Sequence, residues 1–257
     1  MHDGLVVHHD GPVARITLDD EPKRNALGAE KMRALTAHLR ANDSSGSSAV
    51  VVIDAVGPAF SAGHDLAELC DADLAEATEI FDACVDLMTA IHEIRQPVIA
   101  AVDGVATAAG CQLVAACDLA LATERSTFAT PGVRIGLFCS TPMVPISRAV
   151  GRKRAMQMLL TGEPIDAATA ADWGLINQVV ADDGLDDAVA ALVADIARWS
   201  PHTIAVGKAA FYDQLDRTEP DAYDKTKTVM SINAVDAVAQ EGIDAFLTKR
   251  EPEWPEV

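Results

Sequence analysis

Aromatic and basic residues are both scarce in this sequence. Phe, Trp and Tyr make up only 4% of its 257 residues, so the core must be packed mainly by aliphatic side chains. Lys and Arg number 20 against 39 Asp and Glu, which leaves a formal charge of −19. Because contact with phosphate backbones needs a basic surface, we expect no nucleic-acid partner. An anionic ligand would require a local basic patch.

The sequence also lacks the usual signals of membrane insertion, secretion and metal binding. No apolar run reaches the roughly 18–20 residues of a membrane-spanning helix, and residues 1–4 have no basic or apolar leader pattern. We therefore expect a cytoplasmic protein with no membrane partner. The five cysteines show no CxxC spacing, which predicts reduced and mostly buried thiols. The seven histidines show no HExxH-type spacing, so no metal site is predicted.

Two segments, 49–66 and 97–112, each combine an apolar run, a turn of small residues and the start of a helix. The apolar runs, 49–53 and 97–102, predict buried strands. The first N–H groups of a helix have no partner within it, and the helix dipole adds positive potential there. If the two helix starts converge, the N–H groups of His64 and Ala109 would form an oxyanion hole. From the residues alone, ordinary tight turns remain the alternative.

Hydrophobic periodicity predicts mixed secondary structure followed by helices alone. Strands are expected at 13–18 and 118–122, helices at 26–40, 81–94, 146–160 and 185–199, and a polar loop at 42–48. Gly162 is expected to cap the third of these helices. Beyond residue 201 the expected helices are 203–215, 221–238 and 241–249. We predict an α/β core over 1–200 and a helical region over 201–257.

Several segments, in order along nearly the whole chain, resemble the crotonase, or enoyl-CoA hydratase/isomerase, family. They are NAL (25–27), FSAGHDL (60–66), DGVATAAGCQLVAACD (103–118), FATPGVRIGL (128–137) and EGIDAFLTKR (241–250). The resemblance implies a crotonase-like spiral of ββα turns with a C-terminal helical oligomerisation region, assembled as a homotrimer or a dimer of trimers. It implies an acyl-CoA thioester as ligand, with the thioester oxygen between the His64 and Ala109 N–H groups. No prosthetic group is implied, because coenzyme A is part of the substrate.

The resemblance fails at the two glutamates with which family hydratases activate water. Their positions are occupied here by Gln112 and Gly132. Glutamine can bind a water but is not basic near neutral pH, and glycine has no side chain. General acid–base catalysis contributes about 10²–10⁴ in rate, so efficient hydration is not expected. Isomerases of the family mostly keep the second glutamate, so efficient isomerisation by that route is not expected either. If the scaffold is otherwise competent, the double variant Gln112→Glu, Gly132→Glu should gain hydration.

Other side chains could supply the missing chemistry. His64 places an imidazole near the hole unless it points away, and Asp65 is either reactive or a helix N-cap. Cys139 and Ser140 lie where other family members carry their reaction-specific residue. A Cys139 nucleophile needs a base that lowers its pKa; otherwise it is an inert wall of the acyl pocket. Arg134 either meets a substrate carboxylate or forms a salt bridge.

The resemblance assigns coenzyme A contacts to four residues: Lys23, Arg24, Ala62 and Lys249. Lys249, beside Arg250, would reach the phosphates, often from a neighbouring subunit. The four cations Lys23, Arg24, Lys249 and Arg250 would form the basic patch that an anionic ligand requires. The alternative is that they are solvated surface charges. Three functions remain open: an acyl-CoA lyase or isomerase, a non-catalytic acyl-CoA-binding protein, and a thioesterase that uses Cys139.

Overall fold

A computed structural model describes residues 4–255, so residues 1–3, used in the leader interpretation, and 256–257, at the end of the predicted helical region, lie outside the description. The strands are β1 (Leu5–Asp10), β2 (Val13–Leu18), β3 (Val50–Ala55), β4 (Ala59–Ser61), β5 (Val98–Val102), β6 (Val105–Thr107), β7 (Leu119–Thr123), β8 (Thr127–Ala129), β9 (Ile165–Asp166) and β10 (Gln178–Val180).

The helices are α1 (Ala29–Ser45), α2 (Leu66–Leu69), α3 (Leu74–Glu93), α4 (Ala109–Ala116), α5 (Met143–Ala149), α6 (Arg152–Thr161), α7 (Ala167–Trp173), α8 (Leu185–Ala197), α9 (Pro201–Gln214), α10 (Glu219–Ala234) and α11 (Ala237–Thr248). Two short 3-10 segments, Glu21–Lys23 and Pro131–Ile135, flank the site described below. None of the helices within residues 4–255 has the length and hydropathy that a membrane crossing requires.

The strands form two sheets that are linked by successive coils of the chain. The first sheet has the order β1-β2-β3-β5-β7-β10, parallel apart from the β1–β2 hairpin. The second has the order β4-β6-β8-β9, with β9 antiparallel. Each of three coils adds one strand to each sheet: β3 with β4, β5 with β6, and β7 with β8. Because β4 and β6 are neighbours in the second sheet, the segments that follow these two strands begin side by side.

Both faces of the first sheet are buried, which explains why β3 and β5 read as continuous apolar runs. Val51 and Ile53 face the main core, which α1 and α3 cover. Val50 and Val52 face the opposite side and pack in a smaller cluster with α8. This alternation is the period of two that a strand imposes on its side chains.

The predicted elements differ from the structure mainly at their ends. Helix α1 runs to Ser45, so the loop predicted at 42–48 is wrong in its first half. Helix α3 begins at Leu74 because Asp73 and Glu76 form a capping box there. The helix predicted at 146–160 is two helices, interrupted at Gly151, which has φ +77°. Gly162 caps α6 as predicted.

A buried ion pair fastens the first helix after residue 200 to the sheet. Lys208 of α9 donates from Nζ to Asp118 Oδ2 and to the carbonyl oxygens of Ile91 and Gln96, each at 2.7 Å. Tyr212, one turn further, donates to the other Asp118 oxygen, also at 2.7 Å. The Lys208 side chain is 7% exposed. The division of the chain at residue 200 itself stays a prediction.

We expect Lys208→Ala to destabilise the fold by about 3–5 kcal/mol, because it leaves a buried carboxylate without its counter-charge. Urea unfolding followed by circular dichroism measures the change. Lys227→Ala is the matched control: its ion pair with Asp224 lies on the surface, so its loss should cost less than about 1 kcal/mol. Equal effects of the two variants would contradict the structural role of Lys208.

Candidate functional site

The two small-residue turns lie in contact with each other. A Cβ built on Gly63 would lie 2.8 Å from Ala108 Cβ, 2.9 Å from the Thr107 oxygen and 3.1 Å from the Ala109 nitrogen. Gly63 also has φ +92°, a conformation that favours glycine. The close approach of the two turns therefore depends on the absence of a side chain at Gly63.

Neighbouring elements set this approach. Strands β4 and β6 pair in parallel, so the turns that follow them leave the same sheet edge. Helix α4 then packs directly on β4, since a Cβ on Gly110 would overlap the Ser61 carbonyl oxygen. Fully buried Asn25 ties the preceding loop down by donating to the Val56 and Ala59 oxygens at 2.9 and 2.8 Å. Asn25 belongs to the NAL segment at 25–27, but the sequence pattern does not show that this side chain has a structural role.

The N–H groups of His64 and Ala109 have no hydrogen-bond partner among residues 4–255. Leu27 bonds to the residues on either side of His64: its N–H donates to the Gly63 oxygen and its oxygen accepts from the Asp65 N–H. Ala109 is the first residue of α4, where no intrahelical acceptor exists.

Ala108, the residue before α4, adopts an unusual backbone conformation. It has φ +52° and ψ −117°, a region that a residue with a Cβ seldom occupies. Its N–H donates to the Ala129 oxygen at 2.9 Å, which anchors the turn to β8. Strain of this kind is typical of functional sites.

His64 and Ala109 line a cavity of about 750 Å³. Its wall is mostly apolar, and the large side chains in it are Leu66, Phe81, Ile135, Leu137, Phe138 and Pro142. Two elements supply most of them: α3, which carries Phe81, and the segment from the second 3-10 turn to the start of α5. The sequence motifs did not single out these apolar residues, because nothing in the local pattern distinguishes cavity walls from core positions.

Asp65 is occupied by structural contacts. Its Oδ1 accepts the Ala67 N–H at 3.1 Å, which is the N-cap interaction, and its Oδ2 accepts from Lys23 Nζ at 2.8 Å. The Lys23 hydrogen bond is the main cause that lowers the pKa of Asp65. An ionised, doubly engaged carboxylate is a poor proton acceptor.

Gln112 points toward α3 and is not among the residues that line the cavity. It is 3% exposed, and its Oε1 accepts a weak hydrogen bond from Cys84 Sγ at 3.5 Å. Burial raises the pKa of Cys84 to about 12, an effect that this hydrogen bond partly opposes. Neither side chain is ionised near neutral pH.

Gly132 lines the cavity but cannot accept a side chain without movement of its loop. A Cβ there would overlap the Leu137 carbonyl oxygen and lie 2.8 Å from Cys139 Sγ. The expectation that Gly132→Glu would simply restore a glutamate is therefore corrected: the backbone that follows occupies the space.

Cys139 and Ser140 both lie on the cavity wall, but neither is activated. Burial raises the pKa of the Cys139 thiol, and the Gly132 backbone lowers it by less. Within the described residues, no imidazole or carboxylate is hydrogen-bonded to its sulfur. Ser140 Oγ donates to the Phe138 oxygen at 3.3 Å. The thioesterase alternative therefore lacks the base that it needs.

The cations expected to bind coenzyme A differ in their position relative to the cavity. Lys23 lines the cavity, whereas Arg24 and Lys249 are exposed and lie outside its wall. Arg250 is held by Glu241 at 2.5 Å and Asp244 at 2.7 Å, so its charge is already compensated.

Two further predicted contacts have local structural partners. The Ala62 N–H donates to the Arg24 oxygen at 2.9 Å, which joins the first turn to the loop before α1. Arg134 lies on the cavity wall and forms an ion pair with Glu163 at 2.5 Å, as the salt-bridge alternative predicts.

The coiled double sheet and the paired turns define a protein of the crotonase type. The sequence model described as enoyl-CoA hydratase/isomerase matches residues 8–256, so the chain belongs to that family. It is 44% identical over 250 residues to enoyl-CoA hydratase domain-containing protein 3, mitochondrial, of Danio rerio, which covers 97% of this chain and 86% of the relative.

Two crystal structures resemble the chain over nearly its full length. One is the human enoyl coenzyme A hydratase domain-containing protein 3, with a TM-score of 0.95, 42% identity, and coverage of 98% of this chain and 100% of that one. The other is an enoyl-CoA hydratase of Mycobacterium smegmatis, with a TM-score of 0.95, 44% identity and 98% coverage of both. The resemblance and the mixed α/β fold predicted from the sequence are confirmed.

The predicted cytoplasmic location is wrong on this evidence. The Danio rerio relative is named as mitochondrial, and so are its rat, mouse and human counterparts, each 44% identical to this chain. Missing leader features in residues 1–4 were too weak a basis for a location.

We expect Gly132→Glu to destabilise the protein by about 1–3 kcal/mol through overpacking, without gain of hydration. Urea unfolding and a crotonyl-CoA hydration assay measure the two effects. Gly207→Glu is the matched control, because a Cβ at Gly207 in α9 meets nothing within 4 Å. A Gly132→Glu protein as stable as the wild type and faster in hydration would show that the loop can open for a side chain.

Proposed function

We propose that this chain is an enzyme that binds an acyl-CoA thioester and stabilises the negative charge that develops on the thioester oxygen. One observation carries the proposal: two unpartnered backbone N–H groups, of His64 and Ala109, lie on contacting turns at an apolar cavity. Such donors act where a carbonyl oxygen gains charge, and each contributes about 10²–10³ in rate. The apolar wall suits an acyl chain.

The reaction supported best is one that proceeds through an enolate and needs no carboxylate pair. Gln112 and Gly132 offer no base, and Asp65 is engaged by Lys23 and by the α2 backbone. Isomerisation or another α-proton transfer needs one proton-transferring group instead of two carboxylates, and therefore fits the site better than water addition. A non-catalytic acyl-CoA-binding protein is the second candidate, and the absence of a carboxylate at residues 112 and 132 favours it.

We expect Ala109→Pro to weaken polarisation of the thioester, because proline has no N–H to donate and only the His64 N–H remains. Since Ala108, at ψ −117°, lies outside the backbone range favoured before proline, circular dichroism must show that the variant keeps the fold. Difference infrared spectroscopy of carbonyl-labelled hexanoyl-CoA should show a lowered C=O frequency with the wild type and a smaller lowering with the variant. Ala237→Pro, the same change at the exposed first position of α11, is the matched control.

Calorimetry and a reaction panel complete this test. Failure of the wild type to bind hexanoyl-CoA would refute the proposal. Binding without any chemical change in a panel of enoyl-, hydroxyacyl- and malonyl-CoA thioesters would favour the non-catalytic candidate. Hydration of crotonyl-CoA should remain at least about 10²-fold below that of a relative with both glutamates.

The proposal includes a homotrimer or a dimer of trimers. Helices α10 and α11 and the turn between them expose Tyr223, Met230, Ile232, Val235, Phe246 and Leu247, each between 66% and 82% exposed. An apolar surface of this kind is typical of protein interfaces. A neighbouring copy would also offer Lys249 as the second cation for the coenzyme A phosphates, beside Lys23.

We expect Phe246→Lys to break this assembly, because a charge in an apolar interface must be desolvated. Light scattering after size exclusion should give three or six times the mass of one chain for the wild type and a smaller particle for the variant. Leu74→Lys changes a highly exposed apolar residue outside these two helices, and is the control that should leave the mass unchanged. A monomeric wild type would contradict the assembly.

A further inference from the structure

The His64 side chain has no hydrogen-bond partner among residues 4–255. Its Nδ1 and Nε2 are both shielded from solvent, and neither is bonded to any described residue. The ring lies edge-on to Phe81, with ring centroids 5.3 Å apart and an interplanar angle of 89°. By contrast, His92 contacts the Ala116 oxygen at 2.9 Å and His202 contacts Asp236 at 3.1 Å. A buried polar group without a partner is uncommon and calls for an explanation.

No hydrogen bond from residues 4–255 fixes the orientation of the ring. A half-turn about Cβ–Cγ exchanges each ring nitrogen with a ring carbon. His64 already lines the cavity, and its exposed surface belongs to atoms other than these nitrogens. Such a turn presents a different ring edge to the cavity without any change of backbone.

The imidazole is also within reach of the proposed reacting atoms. Bond lengths hold every ring atom within about 6 Å of the backbone nitrogen of the same residue. Since the proposed function places the thioester oxygen on the His64 N–H, the α-carbon of the acyl group lies near the same side chain. This inference rests on that proposed function.

The surroundings keep the ring neutral, with a free lone pair for a proton. Burial lowers the pKa of His64; the Leu27 carbonyl, which stays outside hydrogen-bond geometry, and the Glu68 charge raise it by less. The charged groups nearby are already engaged: Glu68 with the Ala29 N–H at 2.8 Å, Lys23 with Asp65, and Arg134 with Glu163. From α3 the ring meets Phe81, and the thiol of Cys139, across the cavity, is protonated.

We propose that the His64 imidazole is the base that removes the α-proton of a bound acyl-CoA thioester. The Cα–H bond breaks, and its proton passes to a ring nitrogen lone pair. The electron pair forms a double bond between Cα and the thioester carbon, while the carbonyl π pair moves to the oxygen held by the two N–H groups. The imidazolium then returns a proton to Cα, which gives exchange with solvent, or to Cγ of a β,γ-enoyl group, which gives isomerisation.

Deuterium exchange tests this step. The full-length protein is incubated with 3-hexenoyl-CoA in D₂O, and label at Cα and Cγ is measured by mass spectrometry. We expect incorporation by the wild type and a fall of about 10²-fold or more in His64→Gln, with calorimetric binding of hexanoyl-CoA retained. His8→Gln, on an exposed strand residue, is the matched control and should exchange at the wild-type rate.

Two further readouts separate a chemical role of His64 from a structural one. Free imidazole should restore exchange to His64→Ala, because it can enter the space that the ring leaves. The wild-type rate should be level above pH 6.5, since the neutral ring is then the dominant form, whereas exchange by solvent hydroxide rises continuously with pH.

The possible results have distinct meanings. Wild-type binding of hexanoyl-CoA without exchange, or exchange by His64→Gln at the wild-type rate, overturns the role of His64 and leaves the proposed thioester site intact. Absence of binding by the wild type refutes the proposed function itself. Exchange that depends on His64 and is rescued by imidazole supports the assignment.

Discussion

The contact between Gly63 and the turn at 107–109 is the constraint on which the site depends. It brings together two helix starts that come from different coils of the chain, and it does so at distances that no side chain at residue 63 would permit. The parallel pairing of β4 with β6 sets the direction of both turns. The close contact of Gly110 with Ser61 fixes the position of α4. Two donors on separate segments thereby face one cavity, although neither segment carries a charged catalytic side chain.

The same closeness limits the chemistry. At Gly132 the chain folds back so that the Leu137 carbonyl fills the place of a side chain, and Gln112 is turned away toward Cys84. The packing thus leaves no room for a side chain at residue 132 and directs the side chain of residue 112 away from the cavity. Lys23, Asp65 and Arg134 at the cavity are engaged in ion pairs, so what else it offers is backbone dipoles, an apolar wall and the His64 imidazole. This combination suits charge that develops on an oxygen and is poorly suited to activation of water.

Much of the fold could be predicted from the sequence, because buried parallel strands and amphipathic helices leave strong periodic signals. The runs that became β3 and β5 were found within one or two residues. Strands of the second sheet were missed, since β4, β6 and β8 have only three residues each and no measurable period. For the site, the two turns were predicted from small residues and helix starts. The engagement of Asp65, the space at Gly132 and the pairing of Arg250 depend on contacts distant in sequence, which local patterns do not contain.

The ion pair between Lys208 and Asp118 links parts of the chain that the sequence pattern separates. Asp118 also accepts the N–H of Val98, the first residue of β5, at 2.7 Å, and Lys208 satisfies two carbonyl groups on the path into that strand. The strand that carries the second turn is therefore fixed at its beginning by a helix beyond residue 200. A fragment ending at residue 200 would retain every residue described as lining the cavity. It would still expose the Asp118 carboxylate and the Ile91 and Gln96 carbonyl groups near the start of β5. The first helix beyond residue 200 therefore holds in place the strand that leads to the second turn.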